Sequence, residues 1–598
     1  MPTYLASRHD ELVPVNRAVE PHTLLGWLRR HRRAVFAVAA ALMLLQMAVA
    51  MVSTAVEQTP TIDEPVYVGT AAVYVQQHDL RFNPEHPPLG KLVIGAGLLF
   101  AHPHLEPGFT GDQTELGRHV LYESGNDPWR VMLWARLPVI VLTLLFGLVV
   151  LSFARELAGR TGALVALALY AFSPDVIAHG SLATLDVPAT GFLLTSVWLV
   201  WRARRRPWLY LPLSAAALGA TVATKMSMLP AVPLVLLLAV VSVWHAGRSD
   251  TGAEPDRDTR ARRARLLGTG AAAAAAMAVV AVAVVWATYL AVDPRLRWTE
   301  PPDLPAVHGL RAFVIDHLPV PRPYRDGMRY QFGFENTTWQ GFLFGRLYQG
   351  SLWYYLPAAL LVKTPLGMTA LWAAGSLALL RVRRLRPAVP YLLVPPVLLL
   401  ASAMTGSRDL GVRYALFMPV FLAVAAGCAV VARGRGPERA EPGRRPGPGW
   451  AGIPRRLRSE RAGVATAGLV LFVAVSSLLT YPYYLTYSNE AFGGPSRTYQ
   501  QLHDSNVDWG QDLGRLADRL KARYPHEKVW LVYKGAGVPS AYGIDATDPR
   551  TVPAARVHGL LAVSDTWIDK ADARLKALLG TSVRIDEVGH SITLFRRP

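Results

Sequence analysis

Repeated apolar runs of about twenty residues, separated by short arginine clusters, constrain this chain more than any other feature. A helix needs about 20 apolar residues to cross the hydrocarbon of a bilayer. Runs of that kind occupy 34–53, 131–153, 161–178, 184–201, 208–224, 227–246, 267–291, 352–376, 389–404, 414–432 and 462–481. The expectation is therefore an α-helical polytopic membrane protein with about eleven transmembrane helices. Basic clusters precede the first run (Arg29-Arg-His-Arg-Arg33) and recur at Arg155 and Arg160, Arg202 to Arg206, Arg248 to Arg265, Arg381 to Arg386 and Arg433 to Arg461. With eleven crossings every cluster falls on one side, which the positive-inside rule makes cytoplasmic. That distribution also accounts for the net charge of +19 without nucleic acid as a partner.

This pattern divides the chain. Residues 1–33 read as a cytoplasmic N-terminal segment, 34–481 as the transmembrane domain, and 482–598 as an external C-terminal domain. Within the second, 54–130 and 292–351 are long external loops. The Arg-, Gly- and Pro-rich stretch 433–461 reads as a cytoplasmic linker. The run 88–101 follows Pro87-Pro88, is too short to span, and reads as an interfacial or re-entrant helix; 64–77 reads as a second surface helix. In the tail, helical spacing from Asp512 to Tyr524 and strand patterns at Lys528 to Tyr533, Val557 to Val563 and Ser591 to Phe595 predict a small α/β fold. The single cysteine, Cys428, excludes a disulfide framework.

The charges left on the external side are few. Asp63 and Glu64 follow the first span as Asp-Glu-Pro-Val-Tyr. Adjacent acids at a membrane boundary are costly to desolvate, and a carboxylate there can serve as a general base. The same Asp before Glu-Pro is equally a helix cap. Asp186, in Ala-Thr-Leu-Asp-Val-Pro, has the same two readings. His86 precedes a Pro-Pro turn and can touch an anion or pair with Glu85. Arg136 can snorkel to headgroups or bind a lipid phosphate. Lys363, in Leu-Val-Lys-Thr-Pro, costs about 3 kcal/mol to bury in lipid unless it finds a cavity or partner. Arg408 and Arg413 add cations at the same face. Carboxylates and cations together suit deprotonation of an acceptor beside an anionic leaving group.

These residues carry a resemblance. Asp63-Glu64, His86-Pro-Pro-Leu, Ala135-Arg-Leu-Pro, Ala183-Thr-Leu-Asp-Val-Pro, Trp353-Tyr-Tyr-Leu-Pro, Lys363-Thr-Pro, Gly411-Val-Arg-Tyr, Ser488-Asn-Glu-Ala-Phe-Gly-Gly-Pro and Asp504-Ser-Asn-Val-Asp-Trp-Gly-Gln-Asp stand in an order similar to that of the phospholipid-carrier-dependent glycosyltransferases of the GT-C class. That class includes protein O-mannosyltransferases and lipid A aminoarabinose transferases. The resemblance implies inverting transfer of one sugar from a polyprenyl-monophosphate donor to a hydroxyl acceptor on a protein, glycolipid or wall glycan. It implies a multi-pass plasma-membrane enzyme whose site faces away from the cytoplasm. Asp63 maps to the catalytic base, with Glu64 and Asp186 as further catalytic acids. Arg136 maps to a lipid-phosphate contact, and His86, Lys363 and Arg413 are expected beside the donor phosphate. No cofactor is expected to be obligatory and no metal ligand is assigned, although the acids and histidines of 63–119 leave a divalent metal possible. A histidine before Pro-Pro, where the aminoarabinose branch has lysine, is closer to the mannosyltransferase pattern. A transporter or flippase of polyprenyl-linked sugar is the alternative. It predicts internal repeats and mid-membrane charges, and the sequence shows no repeat.

Overall fold

The structure, a computed structural model, describes residues 31–249, 259–433 and 455–598. The expected N-terminal segment before residue 31 and the linker residues 434–454 lie outside them.

Helical segments occupy all the expected apolar runs, and they differ in length and straightness. Among the described residues, six helices are each long and apolar enough to span by themselves: Arg32–Glu57, Pro128–Ala171, Ala231–Arg248, Arg260–Val292, Arg386–Ala403 and Arg461–Thr480. A seventh is obtained if Tyr355–Lys363 and Leu366–Arg381, bent by 115° at Thr364-Pro365, count as one. The departures from one straight helix per apolar run have local physical reasons. Pro128–Ala171 contains 44 residues, and a straight helix of that length would measure about 66 Å, twice the hydrocarbon core. It is two helices run together across Gly159, whose φ of 72° breaks the spiral and joins the expected runs 131–153 and 161–178. Asp186–Ala203 and Pro207–Thr224, 18 residues each, pack against each other inside the bundle. Their facing Ser196 and Ser214 exchange hydroxyl hydrogen bonds, so less of their surface has to be lipid-like.

The first external loop folds as expected into two short helices, Glu64–Gln76 and Pro88–Ala101. Their buried faces meet in a cluster that includes Val68, Ala72, Ile94 and Leu98. The loop between residues 292 and 351 carries two helices, Gly309–His317 and Arg322–Glu335, and a hairpin the sequence reading did not identify. Its strands are β1 (Gln340–Leu343) and β2 (Arg346–Gln349), joined at Phe344-Gly345, both at positive φ.

The tail is an α/β unit. Strands β3 (Val529–Val532), β4 (Ala546–Thr547), β5 (Gly559–Ser564), β6 (Val583–Val588) and β7 (Ile592–Arg597) form one sheet in the order β4-β3-β5-β7-β6. β3 lies parallel to β4 and β5, while β7 is antiparallel to β5 and β6. Alternate side chains serve opposite faces. Leu531, Leu560, Ala562 and Leu594 meet helix Leu513–Arg523, whereas Trp530, Val532, Leu561 and Val563 meet helix Ala573–Gly580.

Candidate functional site

Asp63 stands at the capping position of helix Glu64–Gln76, but its side chain makes no capping bond. Its carboxylate instead pairs with Arg413, 350 residues later in the chain. Arg413 belongs to a single tight turn, Val412–Ala415, that leads into the buried helix Phe417–Gly427. The preceding Gly411 adopts φ 153°, and a Cβ there would lie 2.0 Å from the Ser505 hydroxyl. Glycine is what lets this turn press against residues from the tail. The Arg413 guanidinium lies 4.4 Å from the centre of the Trp509 ring and 5.1 Å from that of Tyr414, a geometry that favours a cation on an aromatic face.

Asp186 is the first residue of its helix and, like Asp63, makes no capping bond. It pairs with Lys225, which follows the last turn of Pro207–Thr224. The Lys225 ammonium lies 5.4 Å from the same Tyr414 ring, and Arg413 acts electrostatically on Asp186 as well as on Asp63. Two acid–cation pairs therefore meet around one tyrosine. His86 joins them: its ring stands edge-on to Tyr67 at 5.7 Å. Burial, followed by the charges of Lys225, Lys91 and Arg408, holds its imidazole well below the ordinary histidine range. A neutral ring at pH 7 offers an N–H hydrogen bond rather than a charge. Behind Asp186 stands His179, pushed down to about 3 by burial and 6.0 Å from the Trp509 ring.

Glu64 and Arg136 take a different part from the one expected. Both are fully buried. Arg136 donates from Nε and Nη2 to the two Glu64 oxygens, each at 2.7 Å. Its remaining donors go to the carbonyls of Ala55, Gln58 and Thr59 at 2.7–3.2 Å. Glu64 also accepts from the Thr61 backbone N–H and hydroxyl and from the Ala183 N–H. The arginine is thus fully engaged inside the protein, which does not fit an open contact for a lipid phosphate. The reason is the carboxylate one residue after Asp63, which turns inward while Asp63 turns towards Arg413. The cluster fixes the residue before Asp63's helix turn and the residue three before Asp186, so it sets the relation of the two acids. Lys363 is also withdrawn from the mouth. Its ammonium donates to the carbonyls of Leu485 (2.7 Å) and Asn506 (3.0 Å) and lies 3.8 Å from Asp175.

Of the expected residues, Asp63, Asp186, His86 and Arg413 are thus brought together, while Glu64, Arg136 and Lys363 support them from behind. The sequence reading missed Lys225, Tyr67, Tyr414, Trp509 and His179. Lys225 had a usable signal, since a lone lysine between two apolar runs is as costly as Lys363. The aromatic residues Tyr67, Tyr414 and Trp509 had one signal, their place in the quoted stretches Asp63-Glu-Pro-Val-Tyr, Gly411-Val-Arg-Tyr and Asp504-Ser-Asn-Val-Asp-Trp. Among the described residues no three His, Cys, Asp or Glu side chains are grouped to hold a metal ion. A cavity of about 600 Å³ opens elsewhere, beside Trp286, Trp298 and Arg325; the acids and cations at the mouth make the better chemical site.

Residues 40–294 match the family model of the dolichyl-phosphate-mannose-protein mannosyltransferases. The matched stretch contains Asp63, His86, Arg136, Asp186 and Lys225. No curated protein matches the chain. Among solved structures, the chain is similar to ArnT from Cupriavidus metallidurans bound to undecaprenyl phosphate, at 14% identity over 96% of this chain and 98% of that one, with a TM-score of 0.45. It is similar to the oligosaccharyltransferase AglB of Archaeoglobus fulgidus at 12% identity, over 92% of this chain and 71% of that one (TM-score 0.44). Similarity to the S. cerevisiae Pmt1-Pmt2 complex bound to the sugar donor is at 18% identity, over 43% of this chain and 33% of that one (TM-score 0.32). The family model is of the kind that the sequence motifs resemble, the protein O-mannosyltransferases, and it covers less than half of the chain.

Proposed function

We propose, from the match of residues 40–294 to the mannosyltransferase model and from the two acid–cation pairs inside and beside it, that this multi-pass membrane protein is an inverting glycosyltransferase. It moves one sugar from a polyprenyl monophosphate to a hydroxyl acceptor on the non-cytoplasmic face of the plasma membrane. The observation that carries this reading is the meeting of Asp63–Arg413 and Asp186–Lys225 around Tyr414.

The reaction needs a base, a route for the leaving phosphate and control of angle. Asp63 takes the proton of the acceptor hydroxyl as its oxygen forms a bond to the anomeric carbon. The bond from that carbon to the phosphate oxygen breaks on the opposite side, and polyprenyl phosphate departs with the electron pair. Arg413 and Lys225 offset the charge that develops on it, and the neutral His86 supplies an N–H donor. Asp186 orients the acceptor or the sugar. Arg413 is the hinge of the scheme: a phosphate is a strong bidentate partner for a guanidinium, so donor binding draws Arg413 from Asp63 and leaves the carboxylate for the acceptor. The supporting cluster of Glu64, Arg136 and Lys363 holds this geometry without touching substrate. Divalent metal is not obligatory in this scheme, because two cations already face the phosphate.

The test uses purified protein in nanodiscs with a polyprenyl-phosphate-linked hexose or pentose and candidate hydroxyl acceptors. Free polyprenyl phosphate should appear only when acceptor is present, and Asp63→Asn should abolish most of it. Release of lipid phosphate independent of acceptor, or movement of intact lipid-linked sugar between leaflets, would reject the reading.

A further inference from the structure

Residues 505–513, outside the family match and beyond the last span, grip both halves of the Asp63–Arg413 pair. On the Asp63 side, the Ile62 N–H donates to the Trp509 carbonyl at 2.9 Å, and the Thr59 N–H to the Gln511 carbonyl at 3.0 Å. The Thr59 hydroxyl donates to the Gly510 carbonyl at 2.9 Å and accepts from the Leu513 N–H. On the Arg413 side, the Val412 N–H donates to Asn506 Oδ1 at 2.9 Å. Ser505 donates from its N–H and its hydroxyl to the Leu410 carbonyl. The Trp509 ring lies under the guanidinium itself. Asn506 and Trp509 are both fully buried. The Asn506 amide is held in turn by Tyr355 and the His503 carbonyl, and its own carbonyl by Lys363.

We infer that Asn506 and Trp509 are positioning residues for the reaction. The start of the tail is a component of the catalytic site, and the α/β unit that follows it is anchored there. The inference rests on the assignment of Asp63 and Arg413 given above. Each of the two residues holds the backbone next to one partner of the pair, and Trp509 also provides the face on which Arg413 rests. This explains why a buried lysine, Lys363, is spent on the carbonyl of Asn506: it fixes the residue that holds the turn bearing Arg413. A displacement of about 1 Å at a reacting group can cost on the order of 10²-fold in rate. Because Arg413 also meets the donor phosphate before the reaction, losses at these two positions should appear in turnover and in donor binding together.

The test compares Asn506→Ala, Trp509→Leu and Trp509→Phe in nanodiscs by transfer kinetics and by amide hydrogen exchange. Asn506→Ala and Trp509→Leu should lower kcat about tenfold or more and also raise the donor KM, since Arg413 holds the phosphate before and during the reaction. Trp509→Phe, which keeps an aromatic face and the backbone bond to Ile62, should recover kcat to within about threefold of wild type. Amides of 410–414 should exchange faster in Asn506→Ala, while helix Arg32–Glu57 should not change. Unchanged kcat in both disruptive variants would overturn the inference, as would equal losses in the Phe and Leu variants. If Asn506→Ala fails to fold, the Trp509 pair alone decides. A wild-type protein that transfers no sugar would reject the glycosyltransferase reading, and the exchange arm would still test the positioning.

Discussion

Asp63 and Glu64 are neighbours with opposite employments, and substitution should separate them. Asp63 gives its side chain to Arg413 and not to its helix terminus, so Asp63→Asn should lower the thermal midpoint only by the loss of that partly exposed pair, less than the loss of a fully buried one. A lost cap would add about 1 kcal/mol to that. Turnover should fall by about 10²-fold or more, the usual weight of a general base, which a coupled assay of acceptor glycosylation would measure. Glu64→Gln and Arg136→Ala should do the reverse in kind. Removing one partner of a fully buried ion pair costs about 3–5 kcal/mol, visible as a lowered midpoint and poor accumulation in the membrane. In the proposed scheme Arg413 and Lys225 offset the charge of the phosphate, so a chelator should leave transfer intact; complete loss reversed by added metal would refute that. The two external acids were legible from sequence because any charge at a lipid boundary demands an explanation. Their partners were not. Arg413 is 350 positions from Asp63 and Arg136 is 72 from Glu64, and nothing local says which cation meets which acid.

At the scale of elements, the tail has its own electrostatics. Burial raises Asp508 to about 8 and Asp565 to about 7, each beyond the offset from neighbouring cations and hydrogen bonds. In this range the folded protein keeps a proton that the unfolded chain, with an ordinary aspartate, has lost. Stability therefore declines as pH rises from about 4 towards 8. His503 works oppositely: burial lowers it to about 4, so its contribution is lost as pH falls from about 6.5. The aspartate effect thus stands clear of His503 between about pH 6.5 and 8. Over that interval wild type should lose up to about 1 kcal/mol per pH unit relative to Asp508→Asn, read from paired melts of the two proteins. Sequence pattern recovered the interior strands because β3 and β5 are almost all apolar and β7 carries Ile592, Leu594 and Phe595 close together. It missed β6, whose Arg584, Asp586 and Glu587 give an edge strand the look of a solvated loop. The hairpin β1–β2 was missed for a similar reason, since most of its second strand is exposed.

For the whole molecule, the arrangement of arginine clusters predicts sidedness. With Cys428 buried, single cysteines at Arg384 and Ser540, both exposed, should react with an impermeant thiol reagent from opposite faces of sealed vesicles. Reaction from the same face would refute the eleven-crossing arrangement; the eleven apolar runs were all visible in sequence, but hydrophobicity alone did not distinguish lipid-facing spans from helices such as Asp186–Ala203 that are enclosed by the protein. The contact between Thr59 and Gly510 bears on how such a molecule comes into being. The two residues are hydrogen-bonded in the finished protein but 451 positions apart in the chain. At roughly 5–20 residues per second, translation of the stretch between them takes roughly 20–90 s. During that interval the first loop has been made, while the tryptophan that will lie beneath Arg413 is still to come. On the proposed function the nascent chain is therefore inert by construction, and its site closes only when the residues around Trp509 have been added.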